Sequence, residues 1–221
     1  MLGHGVRVVS VEIGTSAGLN LFWDKYSYDF GVTMVPGEPS VILTCQLEGN
    51  VPPGLPLSLP GVQRRVGIDV NPLSVTSPDD RRWLEALIPA TDGARRDRLR
   101  AATSIAATDP PDMIKGDGCR DLPDVIAAIP PECVPLVFHS HTTYQWAPEE
   151  RDALSACIDR IGRVRSVWYV CQEPYVDAGD SVRQDRLVVQ CYADGDIRFS
   201  ADLGTSEQYG AWVRWSPKEV G

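Results

Sequence analysis

Residues 6–21 read VRVVSVEIGTSAGLNL, an apolar run from Val6 to Ile13 that stops at a glycine-rich turn. A short apolar stretch bounded by turn residues is the pattern of a strand buried on both faces. A strand that ends on glycines lets its backbone approach whatever lies beyond it, which makes Gly14-Thr-Ser16-Ala-Gly18 a candidate ligand turn.

Further along, strand-like and helix-like stretches alternate. Arg65 to Val70 (RVGIDV), Met113 to Lys115, Val134 to Phe138 (VPLVF) and Val164 to Cys171 read as strands. Ser77-Pro-Asp-Asp80 has the cap, proline and acids of a helix start, and the helix continues through Leu87. A second helix is expected over Gly93–Ala107, with Leu99, Ala102, Ile105 and Ala106 on one face. A third opens at Pro148-Glu-Glu150 and is expected to run to Arg160 and stop at Gly162. Leu187 to Tyr192, the turn Asp194-Gly195 and Ile197 to Ala201 read as a hairpin, and AWVRW as a last strand or docking segment. Residues 24–62 break the pattern with aromatics, prolines and glycines, and read as an insertion with a hairpin or lone strand, Val41 to Glu48 being its one strand-like piece. The expected fold is one α/β domain over residues 1–221: a three-layer, Rossmann-like open sheet, mostly parallel, closed by a C-terminal antiparallel hairpin.

Composition narrows the class of partner. Hydrophobic residues make up 43% of the 221 and charged residues 23%, an ordinary soluble mix. A net charge of −9 and a pI near 4.8 argue against nucleic acid, whose phosphates need clustered Lys and Arg. The basic runs Arg64-Arg65 and Arg95 to Arg100 are short and flanked by acids. No apolar run reaches the ~18 residues of a membrane span and no signal peptide is visible, so a cytoplasmic protein acting on a small molecule is expected. Cysteines 45, 119, 133, 157, 171 and 191 contain no Cys-x-x-Cys pair, and no metal site is expected.

Ligands of such sheets bind at the carboxyl ends of the strands. Four polar groups fall there: Glu12 with Gly14, Ser16 and Gly18; Asp69 with Asn71; Gly116-Asp117-Gly118; and His139-Ser-His141. In that order they resemble the class I methyltransferases that use S-adenosylmethionine. The resemblance implies S-adenosylmethionine as cofactor, with Glu12, Gly14 and Gly18 forming the first motif. It implies Asp69 at the ribose hydroxyls and Asp117 at the adenine amino group. VFHSHTTYQWAPEERDAL resembles the fourth motif of that family, and His139 or His141 is the candidate base. Two departures stand out: Ser16 replaces the middle glycine, and the stretch from Gly18 to Asp69 greatly exceeds the usual ~20 residues.

More narrowly, VEIGTSAGLNLFWDKYSYDFG, GIDVNPLSVTSPDDRRWL and VFHSHTTYQWAPEERDAL resemble a prokaryotic family classed as a domain of unknown function. That resemblance implies a helical region ahead of the first strand, where five residues stand here. It therefore implies a shortened version, a fragment, or a homo-oligomer or partner chain that supplies the missing part.

Two other readings stay open. Gly14-Thr-Ser16-Ala-Gly18 also satisfies Gly-x-Ser-x-Gly, the nucleophile elbow of serine hydrolases, with Asp69 or Asp117 and His139 or His141 completing a triad. The third is a non-catalytic binding or scaffold protein of the same fold. A dinucleotide-dependent oxidoreductase fits less well, because Gly-x-Gly-x-x-Gly fails at Ser16 and Leu19.

Overall fold

In a computed structural model that describes residues 6–49, 58–175 and 184–219, the first strand, β1 (Arg7–Ile13), is paired on both sides. Val8, Val9, Val11 and Ile13 are almost wholly inaccessible, as expected of a strand hydrogen-bonded on both sides and covered on both faces. Its alternate residues Ser10 and Glu12 are equally buried, and each has a polar partner. The Trp23 indole donates to the Ser10 hydroxyl at 3.1 Å. Thr15 and Asn20 donate to the Glu12 carboxylate at 2.7 and 2.9 Å.

The stretch read as an insertion holds more structure than the hairpin or lone strand expected. It forms β2 (Tyr26–Asp29), β3 (Met34–Val35), β4 (Glu38–Thr44) and β5 (Gln46–Gly49). The first three make a small sheet of order β3-β2-β4, while β5 leaves it to pair with the far edge of the main sheet. The corrected picture follows from length: two- and four-residue strands carry too little alternation to be recognised alone. Residues 50–57 of this stretch lie outside the described residues.

After β6 (Val62–Asp69) come α1 (Pro78–Ala86), capped by the Ser77 hydroxyl, and α2 (Gly93–Thr108), capped by Asp92. Then follow β7 (Asp112–Lys115), α3 (Gly118–Ala127), β8 (Cys133–Ser140) and α4 (Pro148–Val164). The helix α4 does not stop at Gly162. A Cβ there would collide with the ring of Tyr192, so this glycine marks close packing on a strand and not a helix end. The chain finishes with β9 (Val167–Tyr175), β10 (Gln184–Ala193), β11 (Asp196–Ser206) and β12 (Trp212–Glu219).

Together the described residues form a mixed α/β fold with four α-helices and a nine-stranded, mostly parallel sheet of order β5-β12-β11-β10-β9-β8-β1-β6-β7. The five strands from β9 to β7 are all parallel. The expected hairpin is the middle of a longer antiparallel run, β9-β10-β11-β12, in which AWVRW supplies the last strand. One face packs on α3 and α4 through Val9, Val11, Val137, Leu122, Leu154 and Ile158. The other lies under α2, the 3-10 turn Leu19–Phe22 and the small sheet. From β1 the chain moves to one side (β6, β7) and from β8 to the other (β9), so the two connections diverge and open a crevice between their ends.

Candidate active-site crevice

The carboxyl ends of β1, β6, β7 and β8 surround a cavity of about 570 Å³. Backbone hydrogen bonds tie its rim together. The Gly14 amide donates to Ile68 O at 2.8 Å and the Gly116 amide to Asp69 O at 2.9 Å. The Thr142 hydroxyl faces Ile13 O at 3.3 Å and Ser140 O at 3.1 Å. Gly14 is needed here: its φ is +70°, and a Cβ would strike the Thr142 side chain.

Asp69, Asp117 and Glu150 all line the cavity, and among the described residues no Lys or Arg does. Each carboxylate is oriented by backbone amides. Asp69 accepts from Ser16 N and Asn71 N, both at 2.8 Å. Asp117 caps α3 by accepting from Arg120 N at 2.8 Å. Glu150 accepts from Ala147 N at 2.8 Å. A carboxylate oxygen can accept more than one hydrogen bond, so all three retain capacity for a ligand. Gly118, Cys119, Gln145 and Trp146 complete the wall.

The two histidines part company. His141 lines the crevice, and its backbone is left-handed with a φ of 52°. Its Nε2–H donates to Asp185 Oδ2 at 2.6 Å, so Nδ1 is the ring nitrogen through which it would meet a ligand. Asp185, on β10, is fully buried. It also accepts from Gln172 Nε2 at 3.0 Å, and its Oδ1 has no partner among the described residues. His139, near the end of β8, is buried with both nitrogens occupied. Nδ1–H donates to Glu173 at 2.6 Å, and Nε2 faces the Tyr169 hydroxyl at 2.6 Å.

Glu173 does a second job. Besides His139 it accepts the amides of Thr142, Thr143 and Tyr144 at 3.0 to 3.1 Å, fixing the loop that carries His141 and Thr142. Burial alone would raise its pKa. The His139 hydrogen bond and the Thr142 and Thr143 amides outweigh that and hold it at about 2.

Glu12 lies beneath the glycine turn and does not line the crevice. Desolvation pushes its pKa up to about 7, against the lowering effect of the Thr15 and Asn20 hydrogen bonds. Ser16 is exposed, with a left-handed φ of 54°, and its amide is held by Asp69. Gly18 starts the 3-10 turn, where a Cβ would meet Pro111 at 2.9 Å. Of the residues singled out from sequence, Gly14, Asp69, Asp117, Gly118 and His141 meet at the cavity; Glu12, Ser16, Gly18, Asn71 and His139 do not line it. Sequence reasoning missed Thr142, Trp146, Asp185 and Glu173. The two acids had a signal, a carboxylate inside an apolar strand, but His141 and Thr143, which they hold, lie 44 and 30 residues away in the chain.

Among the described residues, no group of three or more His, Cys, Asp or Glu is placed to hold a metal ion, and no helix is long and apolar enough to cross a membrane. A family model described as "Uncharacterized protein conserved in bacteria (DUF2332)" matches residues 3–215. No curated protein matches the chain, and no solved structure does.

Proposed function

The chain belongs to this DUF2332 family of bacterial proteins, and we propose that its crevice binds S-adenosylmethionine and serves methyl transfer to a small molecule. The observation that carries this reading is charge. Three carboxylates line the cavity, with no Lys or Arg among the described lining residues. A phosphate-bearing ligand would be repelled there, whereas a sulfonium, an ammonium and ribose hydroxyls are complementary. The order β7-β6-β1-β8-β9 supports it, because numbered from β1 it is the 3-2-1-4-5 order of Rossmann-like nucleotide-binding sheets.

In this reading Asp69 accepts from the ribose hydroxyls and Asp117 from the adenine amino group, while Gly14 and Gly118 let the ligand approach the backbone. Glu12 is a positioning residue that holds Thr15 and Asn20, and so the turn. S-adenosylmethionine supplies a methyl group on a positively charged sulfur. The protein's own task is alignment and exclusion of water, which provide much of the rate in such a displacement. His141 takes a proton at Nδ1 when the acceptor must lose one, with Asp185 orienting the ring.

One observation favours a second reading, a serine hydrolase: exposed Ser16 has the left-handed backbone of a nucleophile elbow. Its hydroxyl makes no hydrogen bond to either histidine among the described residues, which weighs toward the methyl-donor site.

Calorimetric titration with S-adenosylmethionine and S-adenosylhomocysteine separates the two. Saturable binding is expected, weakened about 10- to 100-fold in Asp69→Asn through loss of a charge-assisted hydrogen bond. No binding to folded protein, together with rapid labelling of Ser16 by a fluorophosphonate, would replace this reading with the hydrolase.

A further inference from the structure

A second cavity, of about 340 Å³, lies on the other face of the main sheet, between that sheet and the small one. Its walls include Trp23, Tyr28, Leu43, Leu136, Phe138 and Leu187. It shares no lining residue with the crevice. The aromatic polar tips are already used: Tyr28 and Tyr26 hydroxyls donate to Trp23 O and Leu19 O at 2.6 and 2.7 Å, and the Trp23 indole to Ser10. These rings therefore present carbon surface.

Two amide side chains and the Ser140 hydroxyl add polarity. Asn20 donates its NH2 to Glu12 at 2.9 Å, and Gln172 donates both Nε2 hydrogens, to Asp185 at 3.0 Å and Ser206 at 3.1 Å. An amide that faces a carboxylate must turn its nitrogen toward it. The carbonyl oxygens, Asn20 Oδ1 and Gln172 Oε1, are the acceptors these residues have left for the cavity, beside the second Asn20 N–H.

We propose that this cavity is a second ligand site, for a planar aromatic small molecule of two or three rings that carries N–H or O–H donors at its edge. Size supports the class, since a dry cavity of about 150 Å³ already takes a single benzene ring, and this one is more than twice as large. With no Lys or Arg among its described lining residues to hold a carboxylate or phosphate, and with two carbonyl acceptors, the cavity favours edge N–H groups. The proposal does not depend on what the crevice binds.

Indole and indene, which share a shape but differ by the N–H, test it on the wild-type protein. Calorimetry is expected to show indole binding about 5- to 10-fold tighter than indene, the worth of one hydrogen bond. Nuclear Overhauser contacts are expected from indole to the Trp23 and Tyr28 rings. In Leu187→Trp, which fills the cavity from the main sheet, binding should fall at least about 10-fold. Equal affinity for the two probes, or indole without contacts to Trp23 and Tyr28, overturns the proposal whether or not the variant folds.

Discussion

Glu12 and Glu173 face opposite consequences of burial. Glu12 has two neutral donors, too few to offset desolvation, and its pKa rises to about 7. The native state then binds its proton where the unfolded chain has released it, from about pH 4.5 to about 7. Stability falls as pH rises through that window, by about 3 kcal/mol in all. Urea unfolding should show this loss between pH 5 and 8 in wild type and a much flatter profile in Glu12→Gln. Glu173, held at about 2 by His139 and two amides, behaves the other way. Its contribution is complete above about pH 4.5 and is lost as pH falls toward 2, again about 3 kcal/mol. In Glu173→Gln that acid limb should shrink. Stability at pH 7 should also drop by about 1–3 kcal/mol, because an amide cannot satisfy every donor that the carboxylate serves.

Among the elements, α4 shows how a residue's local meaning can be overruled. Gly162 has the residue type of a helix stop, yet the helix continues to Val164 because the glycine lies against the Tyr192 ring. Gly162→Ala gains up to about 1 kcal/mol of helix propensity but forces a Cβ into that ring. The net outcome should be a loss of about 1–3 kcal/mol, measured by thermal or urea unfolding. An unchanged or raised stability would mean that the contact is soft. The same lesson applies to β5, whose partner β12 pairs Gln46 with Trp212. Local periodicity carries no information about a partner that distant. Longer elements such as β1, α2 and β8 were legible because their own residues bury a whole face or stripe.

Across the whole molecule, the succession of main-sheet strands was readable, while the helix α3 and the closing of the site were not. The run of strand and helix signals led to a mostly parallel sheet, and its turns brought Gly14, Asp69, Asp117 and His141 to one crevice. The acid that orients His141 comes from β10, two strands further across the sheet from β8. The clamp on the intervening loop comes from β9. Neither placement follows from spacing along the chain. The acidic crevice is thus an assembly of four turns, supported from two later strands.

Amide-resolved NMR on the labelled protein during titration with S-adenosylmethionine tests this assembly directly. Saturable shifts should concentrate at Gly14, Gly116, Gly118 and Thr142, with the Trp146 indole moving in step. Shifts confined to other faces, or none at saturating ligand on folded protein, would contradict the assignment of the crevice.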